Sequence, residues 1–227
     1  MDIGNRIKTA IERPDRCLVD QFRGIPSSNI GDMMNRLFNM DAGIKAYGRP
    51  ELLGTAFTVR CPEGDNVFLH LAIELAQPGD VIVVNGFGCL SRALKGEMMF
   101  TYAKACGIAG FVLDGAIRDV ESLAQLDLPV YARGVTPQGP LKNGLGEINH
   151  PIACGGQVVM PGDIICADAD GVLVIPKADA YKVTTLSQEK FAKEQEKLVH
   201  YRKGEINRDV HHKTYLAVTD KIGTLFE

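Results

Sequence analysis

Arg118 and Asp119 stand side by side in FVLDGAIRDVESL (111–123), where an apolar run gives way to a turn on Asp114-Gly115. A guanidinium is a rigid fork suited to a carboxylate or an enolate oxygen. A carboxylate beside it is a hard oxygen donor of the kind that holds Mg²⁺ or Mn²⁺ together with several waters. Glu97 offers a second carboxylate and opens EMMFTYAKAC, a segment with helical patterning. The first-turn amides of that helix, around Met98 and Met99, have no intrahelical partner and favour a bound carboxylate or phosphate. Together these groups describe a small site for a 2-oxo acid and a divalent metal, in which the metal and Arg118 stabilise an enolate as a C–C bond breaks. Each residue also has a plainer reading. Asp119 caps the short helix that follows it, Arg118 forms a surface ion pair, Glu97 complements a helix dipole, and Asp114 fixes the turn. Only convergence of the groups on one place favours the chemistry.

The elements around them supply that convergence. PGDVIVV (78–84) is a turn launching a short buried strand at 80–84, a glycine loop follows at 85–89, and helix 97–106 is stopped by Gly107. IAGFVLDG carries the next buried strand, at 109–113. Strand, helix and strand make a β-α-β unit, which renders the two strands parallel and ends them at one edge of the sheet. Ligands of open α/β sheets bind at that edge. Upstream, the first fifty residues read as helical, with Ser27 or Ser28 as an N-cap, LLGTAFTVRC as a strand, and DNVFLHLAIELA as a helix capped by Asp65. Downstream come a short helix in RDVESLAQLD, a strand in LPVYARG, a long Gly/Pro-rich loop at 135–151, three more strands, and a charged helix from Lys177 to Lys203.

Composition narrows the partners. The 227 residues are 45% hydrophobic with a formal net charge of −3, an ordinary globular balance with no basic field to hold nucleic acid. No apolar run approaches a membrane span, and MDIGNRIKTAIERPDR lacks the apolar stretch of a secretory signal, so the expected compartment is the cytoplasm. The six cysteines are widely and irregularly spaced with no C-x-x-C pair, which argues against a disulfide framework or a zinc knuckle. NGFGCLS places Ser91 where a dinucleotide fingerprint needs its third glycine. The five histidines form no ligand pattern, and none is placed by its position in the chain as a base for the crevice.

GFGCLSRALKGEMM, GFVLDGAIRDVESL, PVYARGVTPQGP and PGDIICADADGVLVIP together resemble the RraA-like proteins and the 4-hydroxy-4-methyl-2-oxoglutarate/4-carboxy-4-hydroxy-2-oxoadipate aldolases, over about residues 25 to 205. The resemblance implies a layered α/β/β/α fold with a central β-barrel-like core of swivelling-domain type. It implies one domain over 1–227, with a core at about 25–176 and a C-terminal helical extension at about 177–227. It also implies a homotrimer, or a hexamer of two trimers, with sites between subunits. The implied activity is that of a class II, metal-dependent pyruvate aldolase that also decarboxylates oxaloacetate through the same enolate. Carried onto this chain, Asp119 holds the metal, Arg118 stabilises the enolate, the amides of Met98 and Met99 hold the substrate carboxylate, and Glu97 bonds to a metal-bound water that serves as base. Glu194 is the match for a glutamate supplied by a neighbouring subunit.

The chain departs from the family pattern at two positions. Glu97 replaces the usual aspartate, a longer arm with the same charge, and Ser122 stands where a last acid belongs, with Glu121 adjacent. A second branch of the family inhibits a ribonuclease without catalysis and typically carries glycine at the first acid position. Glu97 therefore points toward an enzyme.

Overall fold

The computed structural model describes residues 3–222. In chain order the elements are β1 (Asn5–Ile7), α1 (Arg16–Asp20), α2 (Ser27–Met33), β2 (Lys45–Ala46), β3 (Leu52–Arg60), α3 (Val67–Leu75), β4 (Asp80–Lys95), α4 (Glu97–Ala105), β5 (Gly110–Ile117), α5 (Val120–Leu123), β6 (Val130–Val135), β7 (Gly146–Ile148), β8 (Ile152–Cys154), β9 (Gln157–Val159), β10 (Ile164–Asp168), β11 (Gly171–Ile175), α6 (Ala180–Arg202) and α7 (Arg208–Lys221). The chain divides into two compact units, Met1–Gln188 and Glu189–Glu227. The first holds every strand. The second holds the charged end of α6 and all of α7. No helix among the described residues is long and apolar enough to cross a membrane.

β3, β4, β5 and β6 run parallel, as the β-α-β reading requires. β7 and β10 add antiparallel to β3 at its two ends, and β11 pairs with β10, so the sheet forks at β3. Alternate residues of the parallel strands serve two cores. Phe57, Val59, Ile82, Val84, Phe111 and Leu113 pack with α3 and α4. Ala56, Val81, Val83, Val112 and Tyr131 pack with Ile165 of β10 and Val174 of β11. Burial on both faces is why these strands read as continuous apolar runs rather than alternating ones. The result is the layered α/β architecture expected.

Two expectations about local structure are corrected. The first fifty residues are mostly not helical: α1 has five residues and α2 seven. α2 starts after Pro26, with Ser27 inside the helix rather than capping it, and it ends as Asn35 and Arg36 turn left-handed at φ 56° and 62°. The glycine stretch 85–89 is not a free loop but part of the sixteen-residue strand β4. Phe87 and Gly88 take positive φ, and pairing with β5 resumes at Cys89–Gly115, Ala93–Ala116 and Lys95–Ile117 through successive bulges. The strand therefore ends about ten residues later than its apolar run suggests.

Lys95, the last residue of β4, is 1% exposed. Its Nζ has no hydrogen-bond partner and lies 3.3 Å from the Phe111 ring centroid and 4.9 Å from that of Phe100. Attraction of a cation to such rings is worth about 2 kcal/mol when desolvated, less than the several kcal/mol needed to bury an ammonium. Burial accordingly pushes the Lys95 pKa well below its usual 10.5. Between that lowered value and the unfolded value near 10.4, unfolding takes up a proton, so this contribution to stability rises with pH across that window. Lys95→Met is expected to stabilise the protein at pH 7 by about 1–3 kcal/mol, the cost of an unpaired buried polar group. Urea unfolding at pH 7 and pH 10 checks this: the gain should shrink at the higher pH, and an equal gain at both would contradict the lowered pKa.

Candidate active site

The parallel pairing of β4 with β5 brings two chain reversals together. Beyond Lys95 the chain turns at Gly96 into α4. Beyond Ile117 it continues into Arg118, whose N–H donates to the Lys95 carbonyl at 3.0 Å. Asp119 then adopts a left-handed conformation, φ 61° and ψ 40°. It occupies the N-cap position of α5, yet its side chain makes no capping bond to that helix. Instead its Oδ2 accepts the backbone N–H of Glu97 at 3.0 Å, so Asp119 caps the neighbouring helix α4. Arg118 Nε lies 3.6 Å from the same Oδ2. Both side chains remain more than two-fifths exposed. Gly96 makes this approach possible, because a Cβ there would collide with Asp119 Oδ2 and press on Arg118.

The cap decides which helix amides stay available. Phe100 N–H already donates to the Gly96 carbonyl within α4, and Glu97 N–H is taken by Asp119. The amides left at the helix N-terminus are those of Met98 and Met99. They open with Arg118 and Asp119 onto a cavity of about 230 Å³, which His70 and Lys142 also line. The structure thus gathers four of the residues expected from the sequence around one space: Met98, Met99, Arg118 and Asp119. Glu97 adjoins it through its backbone. Glu194 belongs to the unit Glu189–Glu227, where it lies 3.5 Å from Lys190.

The opposite wall went unseen in the sequence. α3 carries Asn66 at its N-cap and His70 four residues later, on one face. Asn66 Nδ2 donates to the Leu94 carbonyl at 2.9 Å and to Met99 Sδ at 3.5 Å, which ties α3 to the end of β4 and to α4. Asp65, expected as the cap, has a wider role. Its Oδ1 accepts Val67 N–H at 3.0 Å, and its Oδ2 accepts the N–H groups of Asn143 at 2.6 Å and Gly144 at 3.2 Å. This latch holds the 141–144 loop against α3 and so brings Lys142 to the cavity. Burial first, then the positive charges of Lys142 and Lys95, depress the His70 pKa.

The electrostatics favour an anion: two cationic side chains and two free amides face one carboxylate. As a cation site, the described residues contain no group of three or more His, Cys, Asp or Glu able to hold a metal. The described residues alone therefore form no zinc-type cage. A single carboxylate with waters and substrate oxygens is the donor set that Mg²⁺ or Mn²⁺ accepts. Since Oδ2 of Asp119 is occupied by Glu97, Oδ1 is the oxygen left to offer. A larger cleft of about 770 Å³ lies at the opposite edge of the strands, lined by Arg16, Arg23 and Arg49 over an apolar floor. It is bigger, but each of these arginines is within 4 Å of an aspartate, and none of the convergent groups described above lies there.

Comparison with known proteins matches residues 27–174 to the RraA-like family model, described as Aldolase/RraA. A protein of Halalkalibacterium halodurans named "Putative 4-hydroxy-4-methyl-2-oxoglutarate aldolase" is 43% identical over 175 residues, covering 77% of this chain and 83% of that protein. Among solved structures, Streptomyces coelicolor RraAS2, described as an unusual member of the RNase ES inhibitor RraA protein family, is 29% identical with a TM-score of 0.72, covering 86% of this chain and 99% of that one. The RNA-processing inhibitor RraA from Thermus thermophilis is 32% identical with a TM-score of 0.62, covering 66% and 92%.

Asp65→Ala removes three backbone-to-carboxylate bonds at once. It is expected to lower stability by about 1–3 kcal/mol, read from the urea midpoint, and to speed tryptic cleavage after Lys142. An unchanged cleavage rate would show that the loop does not depend on the latch.

Proposed function

The chain belongs to the RraA-like family, and on that footing we propose that it is a divalent-metal-dependent aldolase. Its substrates are 4-hydroxy-2-oxo diacids of the 4-hydroxy-4-methyl-2-oxoglutarate type, which it cleaves to pyruvate, and it decarboxylates oxaloacetate at the same site. The observation that carries this reading is the convergence of the Met98 and Met99 amides, Arg118 and Asp119 on one small cavity.

Each residue has a distinct task. The two amides receive the carboxylate next to the keto group, aided by the α4 dipole. That fixes the C2 oxygen toward Arg118. As the C3–C4 bond breaks, its electrons move to form the enolate, and negative charge grows on the C2 oxygen. The Arg118 guanidinium donates to that oxygen most strongly when the charge is largest, which is what lowers a barrier. Asp119 would hold the divalent cation, with Glu97 beside it; when bound, such an ion supplies Lewis-acid stabilisation of the same enolate. Lys142 offers a partner for the distal carboxylate of a diacid. Oxaloacetate loses CO₂ through the same enolate and has no 4-hydroxyl to deprotonate, so it is the simpler substrate. The assembly belonging to this reading is a homotrimer or homohexamer in the cytoplasm, with Glu194 contributed by a neighbouring copy.

A second reading is favoured by the names of the two RraA structures: a regulator that binds and inhibits a ribonuclease. The carboxylate at Glu97 is what sets this chain apart from that role.

The first test is pyruvate release from oxaloacetate in a lactate-dehydrogenase-coupled assay, with Mg²⁺ or Mn²⁺ and then EDTA, corrected for spontaneous decarboxylation. Turnover is expected to need the metal. No turnover above the blank would leave the regulator reading in its place. Arg118→Ala is expected to lower kcat by at least about 100-fold with the fold intact, in the range for loss of one oxyanion donor. Asp119→Ala should lose the response to added metal; a normal Mg²⁺ titration in that variant would remove Asp119 as the ligand.

A further inference from the structure

We propose that Arg92 is a positioning residue that fixes the guanidinium of Arg118 from outside the cavity, by way of Gly139. The proposal rests on the aldolase reading, in which Arg118 stabilises the enolate, and deepens it by naming what holds that guanidinium in place.

The anchorage of Arg118 within its own segment is slight. Its backbone N–H is tied to the Lys95 carbonyl at 3.0 Å. Its side chain is more than two-fifths exposed, and the ion pair from Nε to Asp119 Oδ2 is 3.6 Å long, too long for a hydrogen bond. Two glycines confine the guanidinium instead. A Cβ on Gly96 would lie 3.0 Å from Arg118 Nε, and a Cβ on Gly139 would lie 3.1 Å from Nη1. At Gly139, among the described residues, that nitrogen is the one atom within 4 Å that an added Cβ would meet. The Gly139 backbone is not left-handed. Glycine stands there for the room it leaves, not for the conformation it allows.

The place of Gly139 is in turn set by Arg92. Arg92 Nη1 donates to the Gly139 carbonyl at 3.1 Å. The Gln138 side-chain amide, oriented so that both of its ends are satisfied, accepts from Arg92 Nη2 at 3.2 Å and donates to the Ser91 carbonyl at 3.0 Å. One planar fork thus holds two successive residues, which a single ammonium would not do. Backbone bonds flank it: Ala93 N–H donates to the Gln138 carbonyl and Leu141 N–H to the Gly64 carbonyl, each at 2.8 Å. The Arg92 stem is aimed by Gly64, where a Cβ would lie 2.8 Å from Arg92 Cδ and 2.9 Å from its Cβ.

Arg92 and Lys95 both belong to the bulged end of β4. That strand end therefore fixes Arg118 twice, its backbone through the Lys95 carbonyl and its guanidinium through Arg92 and Gly139. Holding the fork before substrate arrives leaves less of its freedom to be lost when charge develops on the enolate oxygen.

The test is a double-mutant cycle on oxaloacetate decarboxylation by the full-length protein, with Mg²⁺ at saturation. Arg92→Met keeps the stem and removes the fork. It is expected to lower kcat by about 10-fold or more, since a small misplacement of a group at the reacting centre is enough for such a loss. KM should change by less than about threefold, the pattern of an interaction made in the transition state. Arg92→Lys, which keeps one donor for the Gly139 carbonyl, should recover most of the loss. Gly139→Val, which crowds Nη1 and leaves Arg92 intact, should reproduce it. In the Arg118→Ala background, Arg92→Met and Gly139→Val should each cost no more than about twofold further, because nothing is left to position. The same fold-loss with and without Arg118 would mark a merely structural role and overturn the proposal, as would an unchanged kcat in either single variant. Absence of turnover in the unmodified protein would instead overturn the aldolase reading itself, and the proposal with it.

Discussion

The bond from Glu97 N–H to Asp119 Oδ2 is the constraint on which the site depends. It joins the start of one helix to the residue after the neighbouring strand, across the pairing of β4 with β5. It requires Asp119 to sit in the left-handed region, which costs a non-glycine residue on the order of 1–3 kcal/mol. A carboxylate at a helix N-terminus gains from both a charge-assisted hydrogen bond and the dipole, of about the same size. The strained backbone is therefore sustained by the contact it creates. That contact orders the site: it withdraws one α4 amide, leaves the next two free, and engages one oxygen of Asp119 while leaving the other open. Gly96 is part of the same arrangement, since any side chain there would occupy the position of the carboxylate.

Beneath this cap, the β-α-β unit is stiffened by its packing. Phe100 of α4 meets Phe111 of β5 edge to face with ring centroids 5.4 Å apart, and the stem of Lys95 fills the space alongside. A helix so wedged keeps its first turn in register with the strand ends. An anion site built from backbone amides needs this rigidity, because amides cannot be re-aimed by rotamer changes. The buried amine of Lys95 is an oddity in this setting, as a methionine would fill the same volume without an unpaired nitrogen. It contributes to the wall of the site, with its Nζ turned onto the Phe111 and Phe100 rings.

Half of the site was legible in the sequence, for a definite reason. Arg118, Asp119, Met98 and Met99 belong to two consecutive strand ends of one β-α-β unit, and the handedness and parallelism of that unit follow from local patterning alone. The α3 wall was not legible because nothing local specifies it. Asp65 and Asn143 are 78 residues apart, and their bond decides where Lys142 goes. His70 reads as an ordinary polar position on an amphipathic helix until the partners of Asn66 are known. The glycine stretch at 85–89 misled for the opposite reason. Its turn-forming residues are real and do take positive φ, but tertiary pairing with β5 carries the strand through them as bulges. Helical periodicity in the first fifty residues was likewise overridden, in part by Pro26 and by two consecutive left-handed residues after α2.

The choice between enzyme and regulator can be put in physical terms. A protein that acts only by covering another protein's surface needs complementary exposed groups, and has no use for polar atoms held inward around a small void. Here a strained aspartate, two unpaired amides, an arginine, a lysine latched in place by a distant carboxylate, and a histidine all border about 230 Å³. Maintaining like charges such as Arg118 and Lys142 on one cavity costs stability unless an anion is bound there. The excess of positive over negative groups suits a dianion better than a monoanion. On the proposed aldolase reading, that preference would favour a 4-hydroxy-2-oxo diacid over pyruvate, so the product would leave the site more readily than the substrate.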